Sequence, residues 1–599
     1  MQSFLDDPGS MATPCTLREQ RPDGSFVLRS SEALQPFDRC VGDWLERWAT
    51  QTPEAVALAE RDTQGEWSRL SWRELRARVG AVAQALLDLD LPQARPVVIL
   101  SDNAVEHAVL ALASMHVGRP FCTVSSAYSR LSKDHARLRT ILQALKPALI
   151  YASDGGVYGA AMQCCDVGAV RVLGQQAALV DGALPFSQLL RSRESAQVME
   201  RFRAIGPDDH AKYLLTSGST GAPKVVINTH RMLCANQQMI AQAWRFLEAE
   251  KPVLLDWLPW SHTFGGNHNF HMILRNGGTL HIDDGRPMPG LIDKTVRNLR
   301  ECQPTLHFNV PRGLDMLLPA LESDEALARN FMARLRGVFY AGAALPQATW
   351  DRLQALARRI RGQELWLTTS WGSTETAPAV TSAHFWLDRA GCIGVPLPGA
   401  ELKFVPNAGK LEMRVRGICV FPGYRDAPAL TAEAFDDEGF YRIGDAGRLV
   451  DEARPERGVL FDGRVAEDFK LGTGTWVSVG TLRVRLVSAL SPLAQDAVIT
   501  GHDRDEIGAL VFLSPAGLAL PPAQTRSRVQ AALRELRAQA CGATASFATR
   551  ALLLDQPPSA EALEITDKGY VNQRAVLTRR QAEVAALYDD ACERVVRID

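Results

Sequence analysis

Short apolar runs recur between Val97 and Tyr340, separated by stretches of helical spacing, and this alternation constrains the fold more than any other feature. Val97-Val98-Ile99-Leu100 enters through Pro96, and Leu149-Ile150-Tyr151, Val253-Leu254-Leu255, Thr305-Leu306-His307-Phe308 and Val338-Phe339-Tyr340 follow. Runs this short and this apolar suit buried strands. Between them lie helical segments such as Arg231–Glu248. A further helix is expected over Trp72–Asp88, because Ser71-Trp72-Arg73-Glu74 has the spacing of a capping box and Leu75, Val79, Val82 and Leu86 share one face. The pattern predicts an α/β architecture with substantial parallel sheet.

At 599 residues the chain is too long for one ordinary domain. A polar run with turn formers, Asp451 to Gly458, suits a surface linker or a hairpin. The stretch from Gly463 onward has the size of a second, smaller domain. The expected division is therefore 1–462 and 463–599.

A net charge of -2 offers no electrostatic footprint for nucleic acid or an anionic membrane. Met1 to Arg21 carries Asp6, Asp7, Pro8 and Pro14 without an apolar core, unlike a signal or transit peptide. No apolar stretch is long enough to span a bilayer. The 11 cysteines are scattered, with no CxxC pair, and read as reduced thiols; Cys164-Cys165 is given a structural role. A cytoplasmic enzyme is expected, a monomer or homodimer with neither a nucleic-acid nor a membrane partner.

The sharpest local feature is Tyr213-Leu214-Leu215-Thr216-Ser217-Gly218-Ser219-Thr220-Gly221-Ala222-Pro223-Lys224. An apolar strand runs into a loop of hydroxyls and glycines that ends in a lysine. Glycines let the backbone approach phosphate oxygens, and successive amides form an anion-binding concavity. Ser217, Ser219 and Thr220 add donors, and Lys224 adds a compact positive charge. It is not a Walker loop, because Ala222-Pro223 separates Gly221 from Lys224. Taken alone, such a turn is an ordinary loop, and context must decide.

The context is a set of further motifs in order. The loop resembles the phosphate loop of the adenylate-forming superfamily: acyl- and aryl-CoA synthetases, luciferases and peptide-synthetase adenylation domains. Trp371-Gly372-Ser373-Thr374-Glu375 resembles its aromatic-Gly-x-Thr-Glu motif, and Tyr441-Arg442-Ile443-Gly444-Asp445 its Tyr-Arg-Thr-Gly-Asp motif. Asp462-Gly463-Arg464 is similar to the start of its hinge segment, and Thr566-Asp567-Lys568-Gly569 to its C-terminal lysine motif. The resemblance runs from about Val41 to Leu577. Within the superfamily, Gly463 to Lys470, Thr473 to Ser478 and Glu564 to Arg574 resemble bacterial feruloyl-CoA synthetases. Those stretches lie in the C-terminal part, which does not build the acid pocket in this family.

The resemblance implies a large adenylate-forming N-terminal domain of several subdomains and a smaller, mobile α+β C-terminal domain. It implies ATP, Mg²⁺ and coenzyme A, with a small carboxylic acid as the other substrate. The acid's oxygen would attack the α-phosphorus of ATP, so the site must neutralise charge and hold an in-line geometry. Ser217 to Lys224 would cover the β- and γ-phosphates, and Thr216 belongs to the same nucleotide-binding loop. Glu375 would hold Mg²⁺ and Thr374 would bind the α-phosphate. Asp445 would accept the ribose hydroxyls, with Arg464 reaching the same sugar or the phosphates. Gly342, in Ala341-Gly342-Ala343-Ala344-Leu345, marks the adenine-binding strand end, and Trp371, beside Gly372, would stack on the base.

Lys568 would bridge the acid's carboxylate and the α-phosphate. In the second step the small domain would rotate and coenzyme A would displace AMP. The hinge should lie near Val465–Glu467, where Ala466 stands in place of the family's Asp or Lys and Glu467 or Asp468 is the candidate substitute. Lys470 matches a lysine tied to the nucleotide in the thioester-forming state. His262, in Leu258-Pro259-Trp260-Ser261-His262-Thr263-Phe264-Gly265-Gly266, resembles the histidine that gates the acid and thiol tunnels. A zinc site from His262, His268 and His271 lacks a recognisable ligand spacing.

The family positions Phe264, Asn309-Val310-Pro311 and Ala341-Gly342 as walls of the acid pocket. A hydroxycinnamate such as ferulate would need apolar walls and a polar group at the far end. Another aryl or medium-chain fatty acid would fit a similar slot. An adenylation module that loads a carrier protein is the third reading, and a non-catalytic nucleotide-binding relative, against which Glu375 and Lys568 argue, the fourth.

Overall fold

The computed structural model describes residues 4–130, 134–217, 223–407, 409–465, 467–473, 475–540, 546–559, 562, 564–565 and 571–598. Gly218, Ser219, Thr220, Gly221, Ala466 and Lys568 lie outside the described residues, as does the side chain of Ser217.

The apolar runs become strands of three sheets. Val97–Leu100 is a strand buried along its whole length, and it pairs in parallel with Phe121–Thr123 on one side and Leu149–Asp154 on the other. Val170–Gln175 and Leu184–Pro185 extend that sheet in parallel. On the far side His210–Ser217 joins Phe121–Thr123 in parallel and turns back antiparallel into Pro223–Thr229. In a second sheet Val253–Asp256, Thr279–Ile282 and Val56–Arg61 are parallel, with Trp67–Ser71 antiparallel at its edge. A third sheet, Leu306–Asn309, Gly337–Tyr340 and Trp366–Thr368, is wholly parallel. The expected parallel α/β organisation is therefore present.

The helix Trp72–Asp88 starts where its cap predicts. The Ser71 Oγ accepts the Glu74 amide at 3.3 Å, and Glu74 Oε2 accepts the Ser71 amide at 2.8 Å, which satisfies two groups that a helix start leaves open. The expected helix over Arg231–Glu248 is instead His230–Ala243, a break at Trp244, and a short turn Phe246–Ala249. The cause is tertiary. The Trp244 indole donates to Ser382 Oγ at 2.9 Å and meets Trp366 edge-on at 5.1 Å, while the Phe246 amide donates to the Ser10 carbonyl. Burying that indole in the core outweighs the continuation of one helix.

An antiparallel six-stranded sheet follows, in the order Thr16–Gln20, Phe26–Ser30, Ala400–Asn407, Lys410–Gly417, Tyr441–Leu449, Val459–Arg464. The polar run Asp451 to Gly458 is the connection between its last two strands, with a 3-10 turn at Pro455–Arg457. The last strand continues to Arg464, across the 462/463 division. From Leu471 onward the buried residues form apolar clusters of their own around a four-stranded mixed sheet, Ala494–Thr500, Gly508–Leu513, Arg550–Leu554 and Val595–Arg597. Lys410 ties that C-terminal unit to the six-stranded sheet: its ammonium donates to the Asp462 carbonyl at 2.7 Å, to Ser478 Oγ at 2.9 Å and to the Asp468 carboxylate. Asp468 also accepts the amide of Val479, at the start of the helix Val479–Ala489.

Candidate active site

Two small clusters stand where the C-terminal ends of the parallel strands meet the antiparallel sheet, the position at which open α/β sheets bind ligands. Trp371 and Gly342 lie just beyond the adjacent parallel strands Trp366–Thr368 and Gly337–Tyr340. Gly342 is exposed, with φ +87°, a conformation that favours glycine.

The first cluster is Trp371, Asp445 and Arg464. The Trp371 indole N–H donates to Asp445 Oδ2 at 2.8 Å. Asp445 is buried at 6 % exposure, which pushes its carboxyl pKa up, while the Arg464 guanidinium pulls it back. Arg464 Nε stands 3.4 Å from Oδ1, and that oxygen, although buried, has no hydrogen-bond partner among the described residues. A buried acceptor left open beside an exposed arginine is the kind of group that a ligand hydroxyl completes. Trp371→Phe keeps the ring and removes the donor. The unpaired buried oxygen should cost about 1–3 kcal/mol, read as a lower midpoint in urea unfolding.

The second cluster is Glu375, Tyr424 and Lys224. Glu375 lies in the 3-10 turn Thr374–Thr376, held by Ser373 Oγ, which accepts its amide at 3.2 Å. The Tyr424 hydroxyl donates to Glu375 Oε1 at 3.1 Å, and the Lys224 ammonium stands 5.0 Å from the centre of the Tyr424 ring. Tyr424 reaches this place because the Arg425 and Ile227 amides pair its segment with the strand Pro223–Thr229. Burial and the Glu375 carboxylate raise the pKa of both the Tyr424 and the Tyr441 hydroxyls, so both stay protonated as donors. Thr374 is half-buried, and its carbonyl faces the Asn228 amide at 3.4 Å. The turn needs Gly372: a Cβ there would lie 1.8 Å from the Pro378 carbonyl oxygen.

The strands His210–Ser217 and Pro223–Thr229 bracket the hydroxyl-rich loop, with Ser217 opposite Pro223 and Thr216 opposite Lys224. Thr216 Oγ1 is buried without a hydrogen-bond partner among the described residues.

His262 is half-buried in the turn before a π-helical segment, Phe264–Phe270, and its carbonyl accepts the Gly266 amide at 2.9 Å. π-Helical turns are rare and concentrate at functional sites. The two glycines allow this one to press on the preceding loop: a Cβ on Gly265 would meet the Leu258 carbonyl oxygen at 2.2 Å, and one on Gly266 the Trp260 carbonyl oxygen at 2.6 Å.

The structure thus joins Trp371 with Asp445 and Arg464, and sets Glu375 and Lys224 each against Tyr424. It does not bring Lys470 to either group. Lys470 lies in the small hairpin Phe469–Lys470 and Trp476–Val477, with its ammonium 5.1 Å from the Trp476 ring centre. Tyr424 is the site neighbour that the sequence left unmarked, because a tyrosine after Pro-Gly reads as a turn residue.

Comparisons with known proteins bear on the family and the fold. The AMP-binding enzyme family matches residues 45–425, and the AMP-binding enzyme C-terminal domain matches residues 471–592. The chain belongs to the AMP-binding enzyme family. Among its relatives is a probable CoA ligase of Humulus lupulus, 26% identical over 59% of this chain and 60% of that protein. Another is 4-coumarate–CoA ligase 2 of Oryza sativa subsp. japonica, 26% identical over 82% of this chain and 86% of that protein. The crystal structure of the anthranilate CoA ligase AuaEII in complex with anthranoyl-AMP superposes with a TM-score of 0.72 at 18% identity, covering 92% of this chain and 99% of that one. It shares the adenylate-forming fold, a large N-terminal domain with a smaller C-terminal one. Among the described residues, no helix is long and apolar enough to cross a membrane.

Proposed function

We propose that this chain is an AMP-forming acid–CoA ligase: it adenylates a carboxylic acid with ATP, releases pyrophosphate, and transfers the acyl group to coenzyme A with release of AMP. The observation that carries the reading is the meeting of Glu375, Tyr424 and Lys224 beside the mouth of the hydroxyl-rich loop, next to the Trp371–Asp445–Arg464 group. An open buried carboxylate oxygen on Asp445 suits a ribose hydroxyl, and Arg464 is free to swing toward the same sugar or the phosphates. Gly342 and Trp371 border the place of the adenine, and Thr374 that of the α-phosphate.

Glu375 suits Mg²⁺ as a carboxylate ligand. Among the described residues no group of three His, Cys, Asp or Glu could cage a metal. That fits an ion which keeps several waters and is held by one or two carboxylates plus substrate phosphates. When bound, the ion neutralises charge on the leaving pyrophosphate. The protein's own part is to hold Glu375 in place through the Tyr424 hydroxyl and the Ser373 cap.

Of the acids, a hydroxycinnamate such as ferulate is the reading we favour, on the C-terminal motifs and on an aromatic-lined region around Phe264. Incubation with ATP, Mg²⁺, coenzyme A and an equimolar mixture of ferulate, 4-coumarate, caffeate, benzoate and octanoate tests it, with thioesters identified by mass spectrometry. Feruloyl- and coumaroyl-CoA should dominate. Thioesters of benzoate or octanoate alone would keep the ligase and discard the hydroxycinnamate. AMP release without any thioester would point to a carrier protein as the acceptor.

A further inference from the structure

His268 is a buried polar group inside an aromatic box. It lies in the π-helical segment Phe264–Phe270 at 2 % exposure. Its ring centre stands 4.9 Å from that of Phe339, 5.4 Å from Phe308 and 6.0 Å from Phe264. Phe308 and Phe339 lie in adjacent parallel strands, Leu306–Asn309 and Gly337–Tyr340. Just past their ends come Val310 and Ala341-Gly342, which the family pattern gives to the acid pocket together with Phe264. Side chains alternate along a strand, so Phe308 shares a face with Val310, and Phe339 with Ala341. His268 therefore packs on the face of these strands that carries the expected wall residues.

A histidine so placed needs a reason, because an apolar ring would fill the same box without burying polar nitrogens. Its hydrogen bonds show that the ring is held in one tautomer. Asp256 accepts the Leu258 amide on Oδ1 at 3.1 Å and the Asn269 side-chain NH₂ on Oδ2 at 2.8 Å. With its NH₂ turned to Asp256, Asn269 presents its carbonyl oxygen to His268 Nδ1 at 3.0 Å. An oxygen can only accept, so Nδ1 carries the proton and Nε2 carries the lone pair. Burial pushes the His268 pKa down to about 4, which keeps the ring neutral. Among the described residues Nε2 has no hydrogen-bond partner. Gln237 fixes the backbone beneath it by donating to the carbonyls of Asn267 and His268 at 2.9 and 3.1 Å.

We propose that His268 is a specificity-determining residue of the acid pocket: its Nε2 accepts the O–H of a ring hydroxyl at the far end of a flat aromatic acid, so hydroxyaryl acids are favoured over their unsubstituted parents. This rests on the acid–CoA ligase reading above. Asp256 and Asn269 act through His268 as positioning residues, because they orient the ring and fix its tautomer. A pocket built to hydrogen-bond a substrate hydroxyl discriminates steeply, because an acid without the hydroxyl leaves the buried acceptor unpaired.

The test compares kcat/KM for 4-coumarate and cinnamate, which differ only in the ring hydroxyl, in the parent enzyme, His268→Phe and His268→Gln. The parent should favour 4-coumarate by at least about tenfold. In His268→Phe, which refills the aromatic box without an acceptor, the ratio should fall toward one. In His268→Gln, whose amide oxygen reaches the position of Nε2, part of the preference should return. A parent ratio near one overturns the proposal, as does a ratio that His268→Phe leaves unchanged. Should the phenylalanine variant fail to fold, the parent and glutamine ratios decide. Thioester formation from octanoate with neither aryl acid accepted overturns the role of His268 while the ligase reading stands. Absence of adenylate and thioester from every acid removes both.

Discussion

Lys568→Ala should lower acyl-adenylate formation from acid and ATP by about 10²–10³-fold, while thioester formation from supplied acyl-adenylate and coenzyme A survives. The asymmetry follows from charge. In the first half-reaction two anions must approach, a carboxylate and a triphosphate, and an ammonium between them offsets repulsion that grows toward the transition state. In the second half-reaction the attacking group is a thiol and the leaving group is AMP, and the proposed rotation has withdrawn the lysine. Rapid-quench measurement of each half-reaction separates the two effects. Equal first-step rates in variant and parent would remove Lys568 from the role. Lys568→Arg is a useful companion, because it keeps the charge but replaces a compact point cation with a planar fork, and it should recover only part of the rate.

Glu375→Gln is expected to have the second-largest effect, a loss of about 10²-fold or more in adenylation with little change in folding stability. The structure separates the two consequences. The Tyr424 hydroxyl donates to Glu375 Oε1, and a glutamine carbonyl oxygen can accept the same bond, so the turn Thr374–Thr376 keeps its support. What is lost is the negative charge, and with it the hard ligand proposed for Mg²⁺. The apparent Mg²⁺ requirement should rise along with the loss of rate. A variant with parental activity and an unchanged Mg²⁺ profile would show that Glu375 serves only the architecture around Tyr424.

Five strands of the parallel sheets were legible as short apolar runs, and Val97–Leu100, buried along its length, matches residue for residue; partly buried strands such as Val170–Gln175 and Thr279–Ile282 were not marked. The helix Trp72–Asp88 was legible because its start is written in four consecutive residues. Where the outcome depended on distant partners the sequence was silent. Nothing local marks Trp244 as a helix break, since the indole's partners are Ser382 and Trp366, more than a hundred residues away. Tyr424 is invisible for the same reason, because its bond to Glu375 exists only after its segment pairs with Pro223–Thr229. The motifs at Trp371, Glu375 and Asp445 could be found by resemblance. That the Trp371 indole donates to Asp445 could not, because seventy-odd residues and a change of sheet lie between them.

The acid pocket was the least legible part. His268 read as one member of a poor zinc set, and its meaning rests on the tautomer that Asp256 and Asn269 impose. Lys410 was likewise unmarked, although its ammonium joins the six-stranded sheet to Asp468 and Ser478 at the base of the C-terminal unit. Side-chain networks of this kind are set by three-dimensional proximity, and a linear pattern carries no trace of them.

The most direct test of the central claim is acid-dependent exchange of labelled pyrophosphate into ATP, measured with Mg²⁺ and without coenzyme A. Reversible adenylation predicts exchange that requires the acid, falls by about 10²–10³-fold in Lys568→Ala, and gives way to AMP and thioester once coenzyme A is added. Cleavage of ATP to ADP and phosphate, or exchange indifferent to every acid, would contradict the account.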